Sequence, residues 1–246
     1  MPDKRKTSVP GLEKGLAILE LLALEPRALS LSDIAKALGN TVAGTQKPLK
    51  ALLDLGYAYR NEQGGYFLSH RLFQLAHTYS PYAHFTELAR PAMQRFAIET
   101  TESIHLSVKS QNRLLLIEQI QGRSIGRFTH QTGAEEDLST TVSGRILLSN
   151  LSDAEVDMIC ERENIKPKQR KELTQLLSQI AKEEFHYSPS SVFHGVYDLG
   201  VPIKDRNSVT LAVITSSYIK NKVNPQNRET LLSELQKAKS EIESKL

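Results

Sequence analysis

Tryptophan is absent from the 246-residue sequence, and cysteine occurs once, at Cys160. A single cysteine excludes a disulfide framework and any zinc site that needs several thiolates. Long apolar runs are also missing, since no stretch approaches the ~20 residues that a membrane-spanning helix requires. The basic residues 1–10 are not followed by an apolar secretory core. The expected compartment is therefore the cytoplasm, and no membrane partner is expected.

The sequence also lacks the short motifs that identify common enzymes. It contains no P-loop, GxGxxG or HExxH pattern. Its histidines are scattered, and none forms the i, i+4 pair that binds a metal from one helix face. Cys160 follows a capping-box sequence inside a predicted helix, where a packed or surface thiol is expected rather than a nucleophile. The sequence thus favours a protein that is not an enzyme and that holds neither a metal nor a cofactor.

Positive charge is concentrated in the first third of the chain. Residues 1–80 contain ten basic and seven acidic side chains, whereas residues 81–246 contain 21 of each. The whole excess of +3 therefore lies in the N-terminal part. This distribution is typical of an N-terminal region that contacts an anion, although so small an imbalance also arises by chance.

The N-terminal residues predict three helices and a hairpin. Apolar residues recur at helical spacing over 12–24 and 31–38, and Ser30 and Asp33 have the spacing of a capping box. A glycine suited to a helix C-terminus follows the second and third helices: Gly39 and Gly56.

Two aromatic-rich segments, 57–60 and 66–68, flank a glycine-containing turn and predict a β-hairpin. Helix, helix, short turn, helix and hairpin in fewer than 70 residues describe a winged helix-turn-helix. The third helix of that motif is the one that reads DNA.

Beyond residue 80 the periodicity describes an α+β domain. An amphipathic helix is predicted over 85–100, and the next residues alternate in strand fashion. The remaining predicted elements are strands at 114–120 and 125–131, helices at 152–163 and 168–185, strands at 196–203 and 209–217, and a helix at 226–246. This order favours a mostly antiparallel sheet. We therefore predict a winged-helix domain at 1–80, a linker helix at 81–100 and a second domain at 101–246.

Several segments, in this order, resemble the IclR (isocitrate-lyase regulator) type of bacterial transcription factor. The matching stretches are VPGLEKGLAILELLA, LSLSDIAKALG, LLDLGY, YFLSHRLFQLA, ELARPAMQRFAIETTESIHLSV, LSTTVSGRILLS and HGVYDLGVPIKD. They span nearly the whole chain. Each stretch alone matches the family pattern only loosely, but together they are specific for the family. The resemblance implies an N-terminal winged helix that binds double-stranded operator DNA, and a C-terminal GAF-like domain that binds a small effector, often a carboxylic acid. It also implies homodimers, commonly paired into tetramers.

DNA contact is expected from the third helix and from the wing of this motif. Gln and Lys side chains suit base edges or phosphates, and a wing arginine suits a phosphate. The candidate donors are Thr45, Gln46, Lys47 and Lys50 on the helix and Arg60 on the wing. The basic residues 4–6 form either an additional arm for DNA or a solvated tail.

The third helix departs from the family pattern. Thr-Val-Ala-Gly at 41–44 replaces the usual Pro-Lys-Ser-Thr, and Pro48 follows. A proline inside a helix costs about 3 kcal/mol, but this cost disappears in the first turn, where the N–H groups have no helical partner. We therefore predict that the helix begins near Thr45, with Thr45 as its N-cap. The alternative is a reading helix that no longer specifies a DNA sequence.

The hydroxyl-rich stretch LSTTVSGRILL leads into an apolar helix and is the candidate effector site. A helix start offers free backbone N–H groups to an anion. The resemblance places the effector's carboxylate against the backbone of Val142 and Ser143, with the hydroxyls of Thr141 and Ser143 beside it. Ordinary helix capping by Ser139 or Thr140 explains the same residues without a ligand.

Asp198 and Ser216 match two further pocket positions on predicted strands. Asp198 departs from the family, which often has a small residue or a cysteine at this place. Because burial of a lone carboxylate is costly, Asp198 needs a hydrogen-bond donor. The donor is either a hydroxyl or amine of the effector, or a structural partner such as Arg127 or Arg145.

The combined prediction is a bacterial, DNA-binding transcriptional regulator that a small carboxylic or phenolic acid controls and that acts as a homodimer or tetramer. The alternative is a ligand-binding interaction module with a vestigial DNA-binding domain. A salt-dependent operator shift separates the two, because phosphate contacts weaken as the salt concentration rises.

Overall fold

The computed structural model describes residues 9–78, 81–124, 130–219 and 228–246. The chain divides into two units, Met1–Pro81 and Tyr82–Leu246. The basic residues 4–6, most of the strand predicted at 125–131 and Arg127 lie outside the described residues. Within those described ranges, no helix combines the length and the apolar character that crossing a membrane demands.

The N-terminal unit is a winged helix-turn-helix, as the sequence predicts. Its elements are α1 (Pro10–Leu24), α2 (Leu31–Ala37), α3 (Val42–Asp54), β1 (Ala58–Arg60), β2 (Tyr66–Leu68) and α4 (Arg71–Thr78). The two strands form the predicted antiparallel hairpin. Helices α2 and α3 with the short turn between them form the DNA-reading part of the motif.

Local signals place α2 where the sequence predicts it. The Ser30 hydroxyl accepts a hydrogen bond from the Asp33 N–H (3.1 Å), and the Asp33 carboxylate accepts one from the Ser30 N–H (3.2 Å). This reciprocal pair is a capping box. Gly39 ends the turn with a φ of 64°, which glycine adopts without strain. One residue from each of the three helices is buried in a shared core: Ile18, Ile34 and Leu49.

The predicted start of α3 is wrong. The N-cap is Thr41, whose hydroxyl accepts a hydrogen bond from the Gly44 N–H (3.1 Å). Thr45 lies inside the helix, where it is 1% exposed and its hydroxyl donates to the Thr41 carbonyl (3.0 Å). Pro48 therefore lies beyond the first turn, and the Gly44 carbonyl loses its helical donor. The cap and the packing of α3 in the shared core offset this loss.

The second unit is an α+β domain with a six-stranded antiparallel sheet. Its elements are α5 (Ala83–Thr100), β3 (Ser103–Ser110), β4 (Arg113–Ile120), β5 (Glu135–Glu136), α6 (Val142–Leu148), α7 (Asp153–Arg162), α8 (Pro167–Glu183), β6 (His186–Pro189), β7 (Val196–Lys204), β8 (Thr210–Ile219) and α9 (Arg228–Glu243). The strand order is β5-β4-β3-β8-β7-β6. This arrangement confirms the predicted α+β class.

The two faces of the sheet differ in character. One face is apolar and packs on α5 and α9, with Leu106, Leu199 and Ile214 of the sheet in one cluster with Met93 and Leu235 of the helices. The segment 81–100, for which a linker helix is predicted, contains α5, which buries one side in this cluster. The other face lies under α6, which packs with α7 and α8 in a second cluster. Of the candidate ligand-binding residues, Asp198 lies on that second face, and Thr141, Val142 and Ser143 lie at the start of α6.

Candidate functional site

Helix α3 exposes one polar face to solvent. Gln46, Lys47 and Lys50 lie on this face, whereas Thr45 is buried and therefore cannot reach DNA. The Lys50 ammonium lies 2.7 Å from the Asp54 carboxylate, in an exposed ion pair of a kind that contributes little and opens readily. Three of the four predicted helix donors thus share one accessible surface.

Arg60 stabilises the turn of the wing hairpin. Its Nε donates to the Gly64 carbonyl (3.0 Å), and its guanidinium lies 5.4 Å from the centroid of the Tyr66 ring. The rings of Tyr59 and Phe67 stack 5.3 Å apart on the same hairpin. Arg60 remains exposed, so it both fixes the turn and presents a positive charge that suits a DNA phosphate.

The sheet face under α6 carries a stripe of buried polar side chains. Residues paired across antiparallel strands point to the same face, so the pairs Asp198–Ser217 and Ser217–Ser103 place three polar side chains in one row. The next row contains Thr215 and His105. Each of the five is at most 7% exposed. Buried polar side chains in such number are uncommon in a packing core, which makes this stripe a candidate binding site.

Hydroxyl groups, and not an arginine, are the partners of Asp198 in the described ranges. Ser217 Oγ donates to Asp198 Oδ1 (2.6 Å). Burial raises the pKa of Asp198, while hydrogen bonds from Ser217 and Ser190 lower it. Arg145, one of the two structural partners that the sequence suggested, donates its Nε to the Ser139 carbonyl (2.8 Å) instead.

His130 lies against this stripe from the loop between β4 and β5. Its ring centroid is 4.6 Å from that of His105 and 5.1 Å from that of Phe193. Its Nδ1 lies 3.7 Å from the Glu136 carboxylate, and its Nε2 is buried with no hydrogen-bond partner in the described part of the chain. Burial, together with the neighbouring His130, lowers the pKa of His105 well below its usual value. Nothing in the sequence spacing distinguishes His130 from the other histidines, and sequence reasoning missed it.

Helix α6 begins over the same stripe. Its N-cap is Thr141, whose hydroxyl accepts from the Gly144 N–H (3.0 Å); neither of the two hydroxyl residues before it is the cap. Ser143 Oγ and Thr215 Oγ1 share a hydrogen bond of 2.7 Å, which ties the helix to the sheet. The N–H groups of Val142 and Ser143 find no acceptor among the described residues. These are the two groups against which the resemblance places the effector's carboxylate.

Ser216 faces away from the polar stripe, contrary to the sequence prediction. It pairs with Leu199 and Ile104 on the apolar face, and its Oγ donates to the Ser103 carbonyl (2.9 Å). A step of one residue along a strand reverses the face. Ser217 therefore occupies the position that the sequence assigned to Ser216.

The described ranges contain no cluster of three His, Cys, Asp or Glu side chains that is arranged to hold a metal ion. Cys160 is buried in the cluster of α6 to α8, and burial raises the pKa of its thiol. A thiol with a raised pKa is a poor nucleophile at neutral pH.

Comparison with known protein families identifies both units. The IclR helix-turn-helix domain matches residues 11–62. The C-terminal domain of the bacterial transcriptional regulator IclR matches residues 77–244.

Two characterised relatives span nearly the same length. The HTH-type transcriptional regulator XynR of Escherichia coli K12 is 22% identical over 237 residues, which is 94% of each chain. The p-hydroxybenzoate hydroxylase transcriptional activator of Acinetobacter baylyi is 22% identical over 230 residues, or 89% of this chain and 84% of the relative.

Solved structures share the whole fold. An IclR homolog from Microbacterium hydrocarbonoxydans, crystallised with 4-hydroxybenzoate, superposes with a TM-score of 0.79 at 19% identity, over 95% of this chain and 98% of that one. The IclR of Thermotoga maritima superposes with a TM-score of 0.78 at 22% identity, over 96% and 98% of the two chains.

Proposed function

Because the chain belongs to the IclR family of bacterial transcriptional regulators, we propose that its N-terminal unit binds operator DNA in the cytoplasm, under the control of a small carboxylic or phenolic acid in the second unit. The observation that carries the proposal is the buried polar stripe beneath α6, whose donors and acceptors a polar ligand would satisfy. The Acinetobacter activator and the Microbacterium homolog, both of whose names refer to a hydroxybenzoate, support an aromatic acid of that kind.

The stripe has two chemically different ends. The N–H groups of Val142 and Ser143, which have no acceptor among the residues that the structure describes, suit the carboxylate of the effector. Asp198 lies one side-chain row away from the row that α6 covers, a distance of about 7 Å along a strand. That distance matches the separation of the carboxylate and hydroxyl groups in a hydroxybenzoate, so Asp198 accepts a hydrogen bond from the far hydroxyl. His130 and Ser217 flank that end, Thr141 acts as a cap, and Ser216 lies outside the site.

For the effector to control DNA binding, its affinities for two arrangements of the regulator have to differ. An effector changes the affinity for DNA only if it binds two arrangements of the regulator unequally. Helix α5 follows the winged helix in the chain and is packed in the core of the second unit. We propose that α5 transmits the effect of the effector from the second unit to the winged helix.

The lysines of α3 give a direct test of DNA binding. Lys47→Ala and Lys50→Ala should each weaken binding to a duplex from the region upstream of the protein's own gene, because each removes a charge from the exposed face. Arg60→Ala should lower the slope of log affinity against log salt by about one unit if Arg60 holds one phosphate. Gel shifts over a range of salt concentrations measure both effects.

Lys168→Ala is the matched control, because Lys168 is an exposed lysine on α8 of the second unit. It should leave the gel shift unchanged. Unchanged binding in all three N-terminal variants would instead support the interaction module with a vestigial DNA-binding domain.

The outer face of α1 predicts a dimer. Leu12 and Leu16 are 61% and 50% exposed one turn apart, and a small domain gains stability by covering such residues with a second copy. Sedimentation at micromolar concentration should give twice the chain mass of 27.5 kDa. Leu16→Lys should shift the protein toward monomer, whereas Leu55→Lys, at a leucine 66% exposed beyond α3, should not. A parent protein that sediments as a monomer contradicts the prediction.

A further inference from the structure

A cavity opens at the edge of the sheet that β6 forms in the C-terminal unit. It has a volume of about 350 Å³ and lies between α8, β6 and α9. Its walls are formed by Leu176, Gln179, Ile180, Glu183, Phe185, His186, Tyr187 and Arg228. None of these residues belongs to the polar stripe under α6 that we assign to the effector. A cavity of this size accommodates a small metabolite.

Helix α6 separates this cavity from the effector site. His186 pairs with Gly200, and Gly200 pairs with Thr215 of the polar stripe. Gly200 lies directly under α6, since a Cβ atom there would lie 3.0 Å from Ile146 and 3.1 Å from Val142. His186 is therefore two strands away from Thr215, on the far side of the contact between helix and sheet.

His186 supplies a buried polar group whose Nε2 no described residue hydrogen-bonds. The residue is 9% exposed, it lines the cavity, and its Nε2 has no hydrogen-bond partner among the described residues. Burial, and then the charge of Arg145, lowers the pKa of His186 to about 4, so the ring is neutral at neutral pH. A neutral imidazole donates from one nitrogen, and the nearby Arg145 favours an anionic acceptor for that hydrogen bond.

The cavity carries one charge of each sign. The Arg228 guanidinium lies 5.4 Å from the centroid of the Tyr187 ring. The Glu183 carboxylate, from a different helix, accepts a hydrogen bond from the Gln179 amide (2.9 Å). The remaining wall is apolar or aromatic. Such a wall suits a ligand that carries a positive and a negative group next to each other and an apolar part beside them.

We propose that this cavity is a second small-molecule site, which binds a free α-amino acid with an apolar side chain. Its carboxylate accepts from His186 Nε2 and lies near Arg228, and its ammonium group donates to Glu183. The side chain packs on Leu176 and Phe185. The ligand differs in class from the acid proposed for the effector site, because it carries an ammonium group, for which Glu183 is the acceptor.

Calorimetric titration of the full chain with L-leucine tests the proposal, alongside isocaproate, which lacks the ammonium group, and isoamylamine, which lacks the carboxylate. Leucine should bind saturably, and each analogue should bind about tenfold or more weakly, since each loses a charge-assisted hydrogen bond. Leucine that gives no saturable heat, or isocaproate that binds as well as leucine, overturns the proposal.

Amino-acid substitutions test whether leucine binds in this cavity. Glu183→Gln should reduce leucine affinity to that of isocaproate, and Arg228→Gln should reduce it by about tenfold. Lys182→Gln, at an exposed α8 residue outside the cavity wall, should have no effect. Asp198→Ala should also leave leucine binding unchanged. Loss of leucine binding in Asp198→Ala would place leucine in the effector site and overturn the proposal, while the proposed effector function would stand.

Discussion

Gly144→Ala is expected to destabilise the second unit by about 3 kcal/mol, the upper end of the usual cost of overpacking. Gly144 lies in the first turn of α6, where the helix touches the backbone of the preceding loop. A Cβ atom at this position would meet the Leu138 carbonyl oxygen and lie 2.6 Å from Leu138 Cα. Both obstacles are backbone atoms, so no change of side-chain rotamer relieves the clash, and the loop or the helix has to move.

Differential scanning calorimetry measures the effect. For a unit of this size, the expected loss lowers the unfolding temperature by about 6–12 °C. Gly15→Ala is the control, since a Cβ atom at this α1 position meets nothing within 4 Å, and helix propensity then favours alanine by up to about 1 kcal/mol. An unaltered transition in Gly144→Ala would show that α6 moves freely over the loop, which would also weaken the case for a rigid carboxylate site at its start.

The N-terminal unit follows closely from the sequence because its signals are local. The capping box of Ser30 and Asp33 and the glycine at 39 fix the ends of α2 by themselves. The start of α3 could not be fixed in this way. Thr41 and Thr45 are both suitable caps, and the cost of Pro48 favoured the later one. The packing of α3 against the core tolerates the lost hydrogen bond, and that energy is visible only in the folded structure.

The candidate effector site follows from the sequence only in part, because strand register is not local. Adjacent serines occur at 216 and 217, and only the pairing of β8 with β7 and β3 shows that Ser217 shares a face with Asp198. His130 reaches the site from a loop, so no periodicity in the sequence could have placed it there. Asp198 itself was identifiable, since a carboxylate within an apolar strand has to find a partner.

In the proposed effector site, the hydrogen-bond partner of Asp198 determines which ligands the site prefers. Within the described ranges its carboxylate accepts from Ser217 (2.6 Å) and is 7% exposed. Burial raises the pKa of the group, which means that the charged form lacks part of the solvation it has in water. A ligand hydroxyl that donates to Asp198 restores some of that solvation. A ligand with an apolar group at the same place leaves the carboxylate as it was, and a second ligand carboxylate repels it.

Asp198→Ala should therefore weaken the binding of 4-hydroxybenzoate, the ligand of the Microbacterium homolog, by about tenfold or more, since a hydrogen bond to a charged group contributes roughly 1.5–3 kcal/mol. The same substitution should leave the affinity for benzoate nearly unchanged, because benzoate has no hydroxyl to lose. Calorimetric titration of both ligands into both proteins measures the difference. Asp198→Asn, which keeps an acceptor but no charge, should bind 4-hydroxybenzoate with an affinity between those of the parent and Asp198→Ala.

Ser188→Ala is the control, because Ser188 is the β6 neighbour of Asp198 and its hydroxyl already donates to the Pro189 carbonyl (3.3 Å). Equal affinity of the parent and Asp198→Ala for the hydroxylated ligand would show that Asp198 serves only to hold Ser217.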